Sequence, residues 1–169
     1  RRVHFEKPTD DSITLICVIR DESVLLPYFI DYYTNIGVTH FIFVDNGSID
    51  TTQQFLCDHQ FDNIMVYHTD EPYSENLYGV AWVTTILNQQ LKNKWCIVVD
   101  VDELLIPRHG LSLDQLRNNM TRAGANISVT CLLDFYPHKL DGKQYIKGES
   151  FLNHSDYYDC IRGDFQNIF

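Results

Sequence analysis

Basic residues are scarce in this chain: 13 Lys and Arg stand against 23 Asp and Glu, for a formal charge of −10. That balance argues against a protein that grips nucleic acid through a broad basic surface. It also means that an anionic ligand needs a cation or helix N-termini to overcome the background field. Glycine is sparse too, with 8 in 169 residues, and neither GxGxxG nor GxxxxGK[ST] occurs. A Rossmann dinucleotide site and a P-loop are therefore disfavoured. There is no GxSxG elbow and no HExxH helix. The longest apolar runs, "ITLICVI" and "WCIVV", are far too short to cross a bilayer. The opening "RRVHFEKPTDD" has no apolar stretch of the kind a signal peptide carries, although the absence of an initial Met leaves room for a trimmed leader. None of the 5 cysteines forms a CxxC pair, which argues against a zinc cluster. Cys17, Cys96 and Cys131 sit in apolar, strand-like runs, and this placement with the odd count favours a reducing compartment. The sequons at Asn46, Asn119, Asn126 and Asn153 read as chance matches in an Asn-rich chain.

What is present is a rhythm. "SITLICVI" (12–19) is a short apolar, β-branched run that reads as a buried strand. In "DESVLLPYFIDYYTNIGV", Asp21 is placed to cap a helix, Leu25, Leu26, Phe29, Ile30 and Tyr33 recur at helical spacing, and Gly37 ends it. Pro27 near the first turns moves the helix start. A second strand is expected at 40–45, a helix capped by Asp50 at 51–59, and a third strand at 63–69. A polar loop leads to a long apolar helix over 77–93 that tolerates Gly79 early in it. A fourth strand follows at 95–100, then an amphipathic helix with Ser112 or Asp114 at its start and Gly124 beyond its end. A fifth strand is expected at 126–135. Strands alternating with helices predict an α/β fold, a mainly parallel sheet flanked by helices, with a short irregular C-terminal segment.

In open parallel sheets, ligands bind outside the carboxyl ends of the strands. Those ends carry Arg20, Asp21 and Glu22; Asp45, Asn46 and Ser48; Asp70 and Glu71; and Asp100, Asp102 and Glu103. Each of the first four strands delivers acid to one edge. The D-x-D of "VVDVDE" is the sharpest feature. On an extended segment Asp100 and Asp102 point the same way, with Val101 turned to the core. Two hard oxygen ligands suit Mg²⁺ or Mn²⁺, ions that share their shell with phosphates and water. His109 lies near the cluster but has no spaced partner.

"VIRDESVLLPYFIDYYTNIGVTHFIFVDNGSIDTT" (18–52) and "WCIVVDVDELLIP" (95–107) together resemble a family 2-type glycosyltransferase with the GT-A fold, in the bacterial branch that carries "DNGSxD" followed by "DxDE". The resemblance spans about residues 13–135. It implies that Arg20, Asp21 and Glu22 lie near the nucleoside and that Asp45 contacts the base, in a turn shaped by Asn46 and Ser48. Asp70 would be a further base or ribose contact. Asp100 would meet the ribose or the metal-bound diphosphate, Asp102 would be the direct ligand of Mn²⁺ or Mg²⁺, and Glu103 would support them. It implies one domain over 1–169, with a nucleotide-sugar-binding core at 1–135 and a partial acceptor-side segment at 136–169. Family members carry a longer second half that supplies the acceptor site and an Asp or Glu base. Here Asp134 is the expected base, with Asp156, Asp159 and His154 as other candidates. The implied reaction is inverting transfer from a nucleoside diphosphate sugar, a UDP-sugar first, to a glycan or lipid-linked acceptor in surface polysaccharide synthesis. The enzyme would be cytoplasmic, at the inner face of the membrane, without a transmembrane segment and without nucleic acid as a partner. A metal-dependent nucleotidyltransferase and a non-catalytic sugar- or partner-binding module stay open as alternatives.

Overall fold

The apolar runs form the centre of a parallel sheet. The computed structural model describes residues 7–58, 62–128, 130–137, 145–155 and 157–158. Strand β1 (Ile13–Ile19) pairs in parallel with β2 (His40–Asp45) on one side and with β4 (Trp95–Val98) on the other. Strand β3 (Ile64–His68) extends the sheet beyond β2, so the order is β3-β2-β1-β4. Successive strand side chains point to opposite faces, and the two cores follow that alternation. Leu15, Cys17, Ile19, Phe41 and Phe43 pack on one face, and Ile16, Ile42 and Val44 on the other. Both faces of β1 and β2 are covered, which is why these strands read as unbroken apolar runs.

Helix α1 (Leu26–Ile36) buries Leu26, Phe29, Ile30 and Tyr33 against the first face, the stripe expected from the sequence. Gly37 ends it in the left-handed region at φ 115°. Its start differs from expectation. Asp21 is not the cap; Leu25 occupies that position without a side-chain bond, and Pro27 sits in the first turn. The carboxylate of Asp21 is engaged with the next loop instead, and proline is tolerated there because a first-turn amide has no helical partner to lose. Helix α2 (Thr52–Asp58) contributes Leu56 to the same core, and Asp50 accepts its first amide, Thr52 N, at 2.8 Å. Helix α4 (Leu113–Arg122) also belongs to this layer through Leu113. Its cap is Ser112, in a reciprocal capping box with Gln115.

Helix α3 (Val80–Gln90) covers the other face through Ile86, Trp82, Val83 and Leu87. Gly79 precedes this helix rather than lying within it. Leu77, Tyr78 and Gly79 stand in the left-handed region in succession, at φ 53°, 54° and 82°. A Cβ on Gly79 would lie 2.9 Å from Tyr73 Cε2 and 3.1 Å from Val18 Cγ2. Backbone strain and overlap therefore act together. Gly79→Ala is expected to lower unfolding stability by about 1–3 kcal/mol. A denaturant midpoint equal to wild type would refute the close approach.

The fifth strand is a correction. Residues 125–128 and 130–134 have no regular structure, and Ile127 and Leu132 are exposed. Only Phe135–Tyr136 (β5) is extended and paired, antiparallel to Tyr157–Tyr158 (β6), in a sheet separate from the main one. An apolar run has strand propensity, but only an edge to pair with makes it a strand; this run meets its partner only at its last residues. Cys131 is accordingly exposed rather than buried. No helix among the described residues is long and apolar enough to cross a membrane.

Candidate functional site

The sheet order reverses at β1: β2 and β3 continue to one side, and β4 returns on the other. Crevices form outside the carboxyl ends of strands where the order switches. The residues at the exits of β1 and β4 are Arg20, Asp21 and Glu22, and Asp100, Asp102 and Glu103.

The β1 exit is laced to the β2 exit by hydrogen bonds. Asp21 has φ 58°, and its Oδ1 accepts from Ile49 N at 2.7 Å and Asp50 N at 3.1 Å. Its own amide donates to Ser48 Oγ at 2.9 Å. Glu22 N donates to Thr52 Oγ1 at 2.8 Å and Ser23 N to Asp50 Oδ2 at 3.1 Å. These bonds satisfy the amides of a turn that neither strand nor helix would satisfy. Glu22 is half-buried, and Arg20 is exposed beside Asp21, with 4.0 Å between Nε and Oδ2.

The β4 exit differs from the extended geometry expected of the D-x-D. The strand ends at Val98, and residues 100–103 form a tight turn. Glu103 N donates to Asp100 O at 3.1 Å, and Asp100 N donates to Glu103 Oε2 at 3.2 Å. Val101 is buried in the core, as expected, and pins the turn from below. Asp100 and Asp102 are exposed on either side of it. This turn and its buried anchor, not strand alternation, set where the two carboxylates stand.

Electrostatics join the two exits. Burial pushes the Glu22 carboxyl up to about 7, and the charges of Asp102, Asp50, Asp21 and Asp100 push the same way. Tyr73, in the 3₁₀ turn Tyr73–Asn76, is raised by burial and then by the charge of Asp100. Tyr73 packs edge-on to exposed Tyr78 with centroids 5.8 Å apart.

The sign of the Glu22 effect is testable. A carboxyl whose folded pKa exceeds its unfolded value near 4.5 stabilises the fold below that value, and the contribution is lost as pH rises through about 7. Glu22→Gln removes the cost of the ionised form. At pH 8 it is expected to raise unfolding stability by about 1–2 kcal/mol, after the effect of solvent screening. At pH 4 the two proteins should unfold alike. Equal stabilities at pH 8 would show that Glu22 does not feel its neighbours.

Asp45, Asn46 and Asp70 form a second group, at the β2 and β3 exits. Asp45 is fully enclosed. Its Oδ1 accepts from Ser48 N at 3.0 Å, and its Oδ2 accepts from Gln53 Nε2 at 2.7 Å and lies 3.1 Å from His68 Nδ1. Burial alone would raise this carboxyl, but the bonds from Ser48, His68 and Gln53 outweigh it and hold it low. His68 Nε2 lies 3.2 Å from Asp70 Oδ1, so one imidazole bridges both acids. Asn46 is buried, and its Nδ2 donates to Thr69 O at 3.2 Å and Glu71 O at 2.8 Å. Sequence reasoning missed His68 and Gln53. His68 is the last residue of β3, one position before the loop residues considered, whereas nothing in the sequence marks Gln53.

Asp134 stands apart. It lies on the exposed segment before β5, and no hydrogen bond or ion pair among the described residues ties it to the acidic turn. Asp156 and Asp159 lie outside the described residues, and His154 packs on Tyr145 at 5.7 Å. His109 is exposed in the 3₁₀ turn Arg108–Gly110, at φ 61°.

Among the described residues, no three His, Cys, Asp or Glu side chains converge as an all-protein metal cage. The donor chemistry still fits a hard divalent ion. Asp100 and Asp102 present carboxylate oxygens at a switch point, with Glu22 already resisting further negative charge. Mg²⁺ and Mn²⁺ are commonly held by one or two carboxylates, with phosphate and water completing the shell.

No curated protein sequence matches this chain significantly. The family model described as Glycosyltransferase family 92 matches residues 20–157, a span that takes in both strand exits of the crevice.

Proposed function

The chain belongs to glycosyltransferase family 92, and from that premise we propose a donor site and a reaction. The enzyme transfers a sugar from a nucleoside diphosphate sugar, a UDP-sugar first, to an acceptor hydroxyl. The likeness to the family 2-type branch supports this as a shared layout of motifs, "IRDE", "VDNGSID" and "VDVDE". The observation that carries the reading is that the exits of β1 and β4 flank the sheet's switch point and that the charges of Asp102 and Asp100 act on Glu22 across it.

Asp102 is the metal ligand, and Asp100 meets the metal or the ribose. A bound Mn²⁺ or Mg²⁺ supplies Lewis-acid neutralisation of the departing diphosphate. Arg20, Asp21 and Glu22 line the nucleoside side. Asp45 acts from within, because its carboxylate is enclosed; it orients the Asn46–Ser48 turn beneath the base. Asp70, exposed and paired with His68, is the ribose or base contact. Fixed groups of this kind need no rearrangement when charge develops. An inverting reaction needs a base within hydrogen-bond reach of the acceptor hydroxyl. Asp134 takes that role if residues 130–137 close over the crevice with the acceptor bound. A glycan or lipid-linked acceptor would bring the enzyme to a membrane surface.

A nucleotidyltransferase fits less well, because the turn after β1 has no glycine for a triphosphate loop. Calorimetric titration with UDP, in the presence and absence of Mn²⁺, tests the reading. Binding that requires the metal is expected. Metal-independent binding, or no binding across several nucleoside diphosphates, would overturn it.

A further inference from the structure

The turn that carries Asp100 and Asp102 is followed by residues 103–107, which belong to no helix or strand. Something other than regular backbone pairing must set their path. Val101, Leu104 and Leu105 pack on the core that α1 covers, which fixes the depth of the segment. Apolar contacts are non-directional and do not fix its register.

The directional ties come from α1. Tyr33 is fully buried, and its hydroxyl works in both senses. It donates to Glu103 O at 3.0 Å and accepts from Leu105 N at 2.9 Å. Tyr32, one residue earlier, donates its hydroxyl to Leu105 O at 2.9 Å. The Tyr33 ring is wedged between Phe29, at 4.7 Å between centroids, and Tyr32, at 5.3 Å. Its hydroxyl is thus delivered from a rigid helix by a ring that is held on two sides. Burial raises the phenol well above its ordinary range, so it stays a neutral donor throughout the working pH range.

We infer that Tyr33 is a positioning residue for sugar transfer, holding the register of the acidic turn from beneath. The inference rests on the donor site proposed above, since the turn matters to the reaction only if Asp100 and Asp102 meet the donor. Without the hydroxyl, Leu105 N–H and Glu103 C=O lose a common partner inside the protein. Buried polar groups left unpaired are costly, so the segment shifts until they find others. A displacement of about 1 Å at a reacting centre can cost on the order of 10²-fold in rate.

The test is Tyr33→Phe, which keeps the ring and removes the hydroxyl. Amide exchange at Leu105 should accelerate at least tenfold beyond any global change. Mn²⁺-dependent UDP affinity and kcat should each fall about tenfold or more. Ile30→Val, on the same helix and without polar contacts, serves as a control that weakens packing alone; it should leave Mn²⁺-dependent affinity at the wild-type value. If Tyr33→Phe does not fold, Tyr32→Phe removes only the flanking bond and should shift affinity in the same direction by a smaller factor. Unchanged affinity and kcat in the variant that folds, or an equal loss in Ile30→Val, would overturn the inference and leave the donor site standing. A wild-type protein that binds UDP without metal would overturn both, and that outcome is read before any variant is made.

Discussion

Asp102→Asn is expected to lower sugar transfer by about 10³-fold while leaving the fold intact. The residue is exposed on a turn whose anchor is its neighbour Val101, so the carboxylate contributes little to packing. Its proposed work is electrostatic. Removing one ligand from a site that neutralises a leaving diphosphate forfeits transition-state stabilisation of about 4 kcal/mol. Stability should not fall, because the substitution removes one of the charges that resist ionisation of Glu22. The pair of measurements is kcat and the thermal midpoint. Activity within tenfold of wild type would end the role of Asp102, whatever the midpoint does.

Asp45→Ala should show the opposite pattern, with its main effect on stability. Three elements converge on this carboxylate: Ser48 of the turn, Gln53 of α2 and His68 of β3. Truncation removes the one enclosed acceptor these three elements share and leaves a void where it stood, and a cost of about 1–3 kcal/mol is expected. The pH dependence has a definite sign. A carboxyl held below its ordinary range stabilises the fold above the unfolded pKa, and the contribution is lost as pH falls through the folded one. The variant should therefore lose less stability than wild type on acidification below about pH 4. Chemical denaturation at pH 7 and at pH 3 measures both. A variant as stable as wild type at pH 7, with weaker nucleotide binding, would instead make Asp45 a ligand contact.

Much of the architecture was legible because the strongest signals were physical necessities. "ITLICVI" and "HFIFVD" must be buried on both faces, and they are the central strands. Leu26, Phe29, Ile30 and Tyr33 can face one way only on a helix. The parallel sheet with its acidic exits followed from the alternation of these elements. Three features failed for reasons of context. Asp21 has the chemistry of a helix cap, but two amides of the facing loop claimed its carboxylate. "NISVTCLLDF" has the pattern of a strand, and pattern is silent about whether a pairing edge is near. Asp100 and Asp102 stand on a turn, which a spacing of two residues cannot distinguish from a strand. At the site, residue type revealed the acids and nothing revealed their supports. Tyr33 read as a core aromatic from its spacing, and it is one; that its hydroxyl reaches residues 103 and 105 is a fact of tertiary packing. Sequence reading pointed to a glycosyltransferase of the family 2 type, whereas the family match is to family 92.

The inward hold on Asn46 also bears on how this protein ages. Asn followed by Gly is the dipeptide most prone to deamidation, because glycine lets its backbone nitrogen reach the side-chain carbonyl and close a succinimide ring. "DNGS" places such a pair at the β2 exit, with Gly47 at φ 69°. In the folded chain the amide of Asn46 is spoken for by Thr69 O and Glu71 O, which hold the side chain away from that cyclisation. An unfolded or freshly made chain has no such protection. Once hydrolysed, the new carboxylate would face two carbonyl oxygens with nothing to donate. The site's integrity is thus a matter of chemical lifetime as well as geometry: slow refolding would convert a reversible loss of structure into a permanent covalent one.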